Sequence, residues 1–569
     1  MKDKFDLREY FSDREIIKLL CRKRAIAAKK CHDDHFLRNI SSKALSPHHH
    51  KHKEIFSFFP ARSEWIRLNK EERALRDTNA MEINIIQLER TIWREIKKNK
   101  KSDNPKPEWL AKLGDFINEI QDLVLNEKST YQIQSPRILP VLKDKNKNTY
   151  RPICLFELKD LVIIGQIAKY LTHLFDPLFS DSSYAFRAGI KTGKSFNHHA
   201  AIEDIIEFKN RMGFPLFVSE CDIKKFYDCL NHTIIIEEFD HLVKELKGKF
   251  LSEIDNRSIY FFHSYLKAFS FNDNIHKVEK ILLSKYGIHG GTIPWVKTEE
   301  LSSVGSKVDS DKIGVPQGGA ISCLIANIVL NHVDKRILSV SDANTCYVRF
   351  CDDMVLIHSD KAACDKILEV YQSALKEVKL ISHLPIESDC YGKPFWNEEV
   401  KSKSTYKWDM VNKEDTTTHK NVPWLAFVGY QIRYDGLIRV RKRSIKKELK
   451  KQVTETDKII KIVRLACGAN VNKKAIKFRL QQRLISMAVG RFKYGGTKLS
   501  MCWCAGFKLL KSNSNITNQI RRLDRNREKQ ITRLVVNLKT ITTPSRKSKK
   551  PKTPKKFYGA NYSYNKKFV

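Results

Sequence analysis

Two aspartates stand side by side at Asp352 and Asp353, in TCYVRFCDDMVLIHS, with strand-like sequence on both sides. On a tight turn their charges repel, and a strand hairpin gains nothing from them unless a cation removes the repulsion. Mg²⁺ prefers hard oxygen ligands and is commonly held by one or two carboxylates together with substrate phosphates. Another acid, Asp222, ends the apolar stretch LFVSECDI, where an ionised side chain is out of place without a partner. A strand there, lying beside the 347–357 hairpin, brings Asp222 and Asp352 together. Carboxylates so placed make a two-metal centre. One ion activates an attacking 3′-hydroxyl and the other stabilises the leaving pyrophosphate of an incoming nucleotide. The third piece is Gly314-Val315-Pro316-Gln317-Gly318-Gly319-Ala320-Ile321-Ser322. Its glycines allow close backbone approach at the start of a helix, where free N–H groups favour anions and nucleotide.

The elements that must position these groups can be read in outline. Residues 1 to about 125 show apolar residues at three- and four-residue spacing, as in EIIKLLCRKRAIAAKK and MEINIIQLERTIWREIKK, and are expected to be helical. RILPVLKDKNKNTYRPICLF is a β-hairpin around a polar turn, carrying Lys143, Lys145, Lys147 and Arg151. DLVIIGQIAKYLTHLF follows as a helix ending near Asp176-Pro177. LFVSECDIKKFYDCL is a buried strand running into a helix, and TCYVRFCDDMVLIHS two short strands around the acidic turn. WLAFVGYQIRYDGLIRVRKR is a further hairpin, with Asp435-Gly436 as its turn. From 444 the chain is basic and helical, and its last 29 residues read as a flexible basic tail.

Composition narrows the partner. The 569 residues suggest two to four subdomains. The net charge of +39, from 104 Lys and Arg against 65 acids, repels itself in a compact fold unless a polyanion offsets it. Nucleic acid is the favoured polyanion, because Lys and Arg neutralise phosphates and release counterions. No apolar run reaches the roughly 18–20 residues of a membrane span, and MKDKFDLREYF lacks the apolar core of a signal peptide. The expected location is the cytoplasm, with no membrane partner. The 13 cysteines are scattered without a CxxC pair, and Cys502 and Cys504 bracket a Trp. They are expected to be reduced thiols, not a disulfide framework or zinc ribbon. The run His48, His49, His50, His52 is read as an exposed basic loop. Gly189 to Ser195 looks like a phosphate loop but has three residues between its glycines where four are needed.

Taken in order, the three chemical pieces resemble the palm of reverse transcriptases. Asp222 matches that family's first catalytic carboxylate, VPQGGAIS its PQG-type motif, and FCDD stands where the family has Tyr-x-Asp-Asp. YRPICLF with DLVIIGQIAKYL is similar to the fingers segment of group II intron and retron-type enzymes, SYAFRAG to their SYGFRPG motif, and LAFVGYQI to the primer-grip region. The resemblance covers roughly residues 135 to 445. Phe350 in place of Tyr keeps the ring and loses a hydroxyl. Cys351 and the long N-terminal extension are most like the unclassified, defence-associated bacterial enzymes.

The resemblance implies an α+β right-hand polymerase with an antiparallel palm sheet and helical N- and C-terminal regions. Its domains are a basic helical extension at 1–125, fingers and palm at 126–443, a thumb-like domain at 444–540 and a tail at 541–569. It implies catalytic Asp222, Asp352 and Asp353. Two Mg²⁺ ions, with Mn²⁺ as substitute, are held by these and Ile223. Nucleotide-binding residues are Arg151, Lys143, Tyr227, Gln317, Gly318 and Phe350. Arg151 and Lys143 hold the triphosphate, Tyr227 excludes a ribose 2′-hydroxyl, and Gln317 contacts nucleotide or template. Lys403 is the expected palm lysine near the pyrophosphate. The activity implied is RNA-directed DNA synthesis from deoxynucleoside triphosphates, on an RNA template such as a dedicated non-coding RNA, with a DNA product and a role in antiphage defence. Two alternatives stay open. One is template-independent synthesis, or priming by a protein hydroxyl such as Tyr558, Tyr562 or Tyr564. The other is an RNA-binding scaffold or splicing cofactor. A homo-oligomer or a second protein subunit is also left open.

Overall fold

A computed structural model describes residues 5–40, 54–69, 71–72, 80–100, 105–144, 146–189, 196–250, 253–387, 400–410, 421–465, 473–489 and 514–539. The histidine run, Lys145, residues 190–195 of the phosphate-loop-like stretch, Cys502, Cys504 and the tail tyrosines lie outside the described residues. The chain divides into two compact units, Met1–Ser12 with Glu119–Leu437, and Asp13–Asn118 with Ile438–Val569.

The first unit carries every element that the chemistry needs. Strands β1 (Arg137–Asp144) and β2 (Thr149–Leu155) form the antiparallel hairpin expected from the sequence, with Val141 opposite Arg151. Its tip is tied down twice, by Tyr150 N–H to the Thr292 carbonyl at 2.8 Å and Thr292 N–H to the Asn148 carbonyl at 3.1 Å. The helix Leu158–Phe175 follows. Val162, Ile163, Ile164, Ile167 and Leu171 are all buried, as a stretch with so little polar surface requires.

The central sheet has five strands: β3 (Phe217–Asp222), β4 (Thr345–Phe350), β5 (Asp353–His358), β6 (Pro385–Ile386) and β7 (Ser402–Lys407), in the order β4-β5-β3-β7-β6. All neighbours are antiparallel except β6 and β7. In β5 the five residues after Asp353 are all buried, so this strand is covered on both faces. The helix Lys361–Glu377 packs against β3, β5 and β7. The helix Ala320–Leu338 packs in turn on Lys361–Glu377, Leu158–Phe175 and His232–Phe250. Surrounded in this way, it is apolar nearly all round, with Ile321, Leu324, Ile325, Ile328, Val329 and Val333 inside.

Strands β8 (Trp424–Phe427) and β9 (Tyr430–Arg433) form a hairpin through Val428-Gly429, with Gly429 at φ +90°. The sequence predicts one turn here, at Asp435-Gly436. That turn exists, with Gly436 at φ +89° and Arg433 N–H on the Leu437 carbonyl at 2.7 Å, but an earlier turn comes first.

In the second unit the helices Asp13–Ile40 and Ala80–Asn99 pack together, and Asp13–Ile40 also meets Lys442–Leu465. N-terminal and C-terminal stretches therefore share one folded unit. The helices Lys442–Leu465, Lys473–Val489 and Ser514–Lys539 enclose a core that includes Ile459, Val463, Leu480, Leu484 and Leu534. Among the described residues, no helix is long and apolar enough to cross a membrane.

Candidate active site

The acidic turn is a two-residue hairpin: Phe350 and Asp353 pair across it, and Cys351 and Asp352 span it. Cys351 sits at φ +61°. Tight hairpins need a positive φ at a central position, and a residue with a Cβ adopts one at a cost. The neighbouring strand ends beside the turn, with Asp222 directly opposite Asp353. Asp352 is partly buried. Its carboxyl is pushed above the usual range, first by burial and then by the nearby charge of Asp222. The backbone register thus brings Asp222, Asp352 and Asp353 to one end of the sheet.

Asp222 is held from several directions. Its N–H donates to Ser402 Oγ at 3.0 Å, and its carbonyl accepts the His383 N–H at 2.9 Å. Its Oδ2 lies 3.1 Å from Lys401 Nζ and 3.9 Å from His383 Nε2. Burial holds the His383 imidazole below its ordinary pKa. Ile223 is buried and bridges to Ser382. Lys403 is the residue expected as the palm lysine near the pyrophosphate. Its ammonium grips Glu220 at 2.6 and 2.7 Å, and Tyr406 donates to the same carboxylate. Lys401 is the lysine that reaches Asp222.

Hard carboxylate oxygens would suit Mg²⁺, which commonly draws its remaining ligands from water and substrate phosphate. Among the described residues, no group of three or more His, Cys, Asp or Glu is arranged to close around a metal.

Sequence reasoning missed the group that fixes the turn. Arg349 and Asp334 are both fully buried. Arg349 Nε and Nη2 donate to the two Asp334 oxygens at 2.8 and 2.6 Å, and Tyr347 donates to Asp334 at 2.8 Å. Arg349 Nη1 donates to the carbonyl of Cys351 at 3.0 Å. The signal was present: a lone Arg in the otherwise strand-like TCYVRF. Such a residue, if buried, needs a carboxylate partner.

The residues expected to bind nucleotide are placed as follows. Tyr227 lies in the short helix Phe226–Cys229, its hydroxyl 3.2 Å from Cys351 Sγ. Phe350 is partly buried, edge-on to His198 at 6.3 Å. Gln317 Nε2 donates to Asp228 Oδ1 at 2.6 Å. Gly318 has φ +99°. Arg151 and Lys143 are exposed on the hairpin and, with Lys225, act electrostatically on Asp228. Arg187 of SYAFRAG serves the fold: buried against Asp176 at 2.7 Å, it also donates to the Ser180 and Ser183 carbonyls.

Residues 142–384 match the family described as reverse transcriptase (RNA-dependent DNA polymerase). The match spans the β3 carboxylate, Gln317 and the acidic turn. With the palm sheet and its fingers hairpin, it identifies a right-hand polymerase fold. The group II intron-encoded protein LtrA of Lactococcus lactis subsp. cremoris is 24% identical over 48% of this chain and 33% of its own length. A 91 kDa protein in a cob intron of Schizosaccharomyces pombe is 25% identical over 35% of this chain and 18% of that one. The chain thus spans a third or less of these relatives, both of which are named for introns. Apo telomerase from Candida tropicalis aligns over 80% of this chain and 74% of that one, at 13% identity and TM-score 0.34, a level that bears on neither fold nor function.

Proposed function

We propose that the chain is an RNA-directed DNA polymerase of the non-retroviral kind, extending a 3′-hydroxyl with deoxynucleotides. The observation that carries this reading is the meeting of Asp222 with the Cys351-Asp352 turn at one end of a sheet, inside the segment that matches the family. Asp222, Asp352, Asp353 and the backbone of Ile223 would hold two Mg²⁺ ions. These supply Lewis-acid activation of the hydroxyl and charge neutralisation at the leaving pyrophosphate. Arg151 and Lys143 reach the triphosphate from the hairpin and offset its charge. Tyr227, packed on Cys351, stands as a wall against a ribose 2′-hydroxyl. The excess of positive charge holds template and product by their phosphates, while base pairing reads the sequence.

Primer extension on a defined RNA template with the four deoxynucleotides and Mg²⁺ is the test. A product complementary to the RNA is expected, and its loss in the Asp352→Asn, Asp353→Asn double variant. Incorporation that survives the double variant rejects the two-metal assignment. A homopolymer unrelated to the RNA rejects the template. Tyr227→Ala should admit ribonucleotides, and unchanged sugar selection removes the gate. Sequencing the nucleic acid that copurifies with the protein identifies the natural template.

A further inference from the structure

Asp228 is almost completely buried, 4% exposed, behind the nucleotide-side residues. Its environment holds it without help from its side chain. The Asp228 carbonyl accepts the Trp295 indole N–H at 2.9 Å, and its N–H donates to the Lys225 carbonyl at 2.8 Å. The 314–317 loop is fastened separately. Gly314 N–H donates to the Leu230 carbonyl at 2.7 Å, and Val315 N–H to the Tyr227 carbonyl at 2.8 Å. The loop and the helix Phe226–Cys229 are thus joined through their backbones. The 2.6 Å bond from Gln317 Nε2 to Asp228 Oδ1 is not needed to close them.

That bond does fix something the backbone cannot. A carboxamide has a donor end and an acceptor end, of nearly the same shape. An ionised carboxylate can only accept. Facing one, the Gln317 amide must turn its nitrogen inward, which leaves Oε1 as the atom to offer elsewhere. We propose that Asp228 is a positioning residue for nucleotide binding, acting through Gln317 by dictating which end of its amide the incoming nucleotide meets. This rests on the polymerase reading above. Three cations act electrostatically on Asp228, Lys225 from the same turn and Arg151 and Lys143 from the hairpin. They favour the ionised, accept-only form that the mechanism needs.

Asp228→Asn keeps shape and volume but removes the dictation. Asn can accept from Gln317 Nε2 or donate to Oε1, so both amide orientations become available. Steady-state incorporation on a primed RNA template is the experiment, with melting by circular dichroism to show that the variants fold. KM for the deoxynucleotide should rise about three- to tenfold, with kcat changed less than twofold, as expected for loss of one hydrogen bond in binding. In a Gln317→Met background, Asp228→Asn should then change nothing further, because the amide it acts through is gone. Independent, multiplicative effects of the two substitutions overturn the proposal, as does a fall in kcat with KM unchanged. Wild-type protein that incorporates no nucleotide refutes the polymerase reading itself. Active wild type with a silent Asp228→Asn refutes only the role of Asp228.

Discussion

Arg349 donates to the carbonyl of Cys351 at 3.0 Å while both oxygens of Asp334 clamp the same guanidinium. The strained turn that presents Asp352 is therefore held from inside the protein by one fork. Arg349→Met leaves the Asp334 carboxylate buried and unpaired, which costs about 3–5 kcal/mol. Replacing both, as Arg349→Met with Asp334→Leu, should restore most of that stability, since an apolar pair can replace a buried ion pair. Incorporation should not return, because nothing then holds the Cys351 carbonyl. Chemical denaturation and primer extension on the same variants separate the two effects. A stable double variant with normal activity would show that the turn needs no anchor.

The two lysines of β7 and its approach divide by role. Lys403 is buried against Glu220, whereas Lys401 is more than half exposed and 3.1 Å from Asp222. Lys403→Met strands the Glu220 carboxylate and should destabilise the fold by a few kcal/mol. Lys401→Ala should leave the melting temperature within about 2 °C, since exposed pairs contribute little, and change the Mg²⁺ concentration that gives half-maximal incorporation. Equal effects of the two substitutions on melting would contradict this division.

Gly319 is next to a fully buried tyrosine. A Cβ built at Gly319 falls 1.9 Å from the Tyr265 hydroxyl and 2.9 Å from the ring carbon bearing it. That hydroxyl is itself bonded to Ser322 Oγ at 2.7 Å. Gly319→Ala must push the loop or the ring, at a cost of about 1–3 kcal/mol. Tyr265→Phe removes the nearer of the two clashing atoms, so adding it to Gly319→Ala should recover part of the stability and of the incorporation rate. If Gly319→Ala melts like wild type, the contact is looser than this geometry.

What the sequence revealed and what it hid follow one physical division. Apolar runs and turn chemistry are local, so β3, the β4–β5 hairpin, the fingers hairpin and the helix Leu158–Phe175 could all be read. The meeting of Asp222 with the acidic turn could be reasoned from their order. That Lys401 reaches Asp222 while Lys403 pairs with Glu220 depends on register. The β3–β7 ladder is irregular between Val218 and Glu220, and no periodicity in the chain shows that slip. Arg349 was hidden for a related reason: its partner Asp334 comes from a helix, and only the packing of helix on sheet brings them together. Val428-Gly429 is hard to read from sequence because Asp435-Gly436 is the stronger turn signal.

Asp228 should leave a signature in stability as well as in binding. Burial pushes its carboxyl up to about 6 from an ordinary 3.8, against the pull of Gln317 and the nearby cations. The folded protein therefore holds this proton more tightly than the unfolded chain. The ionised form is a cost to the fold that is fully present above about pH 6. That cost is relieved as pH falls from about 6 towards about 4. Two pH units at about 1.4 kcal/mol each put it near 3 kcal/mol. Asp228→Asn carries no charge at any pH. It should thus be more stable than wild type at pH 8, by about 1–3 kcal/mol once the weaker bond from Gln317 is counted. The gap should shrink through pH 6 and close near pH 4. Melting of both proteins across that range is the measurement. A gap that is constant with pH, or a variant that is less stable at pH 8, would show that the buried carboxylate is not the strained form. With the expected result, the residue that orients Gln317 would be one the fold holds at a loss, as a group kept for binding and not for stability would be.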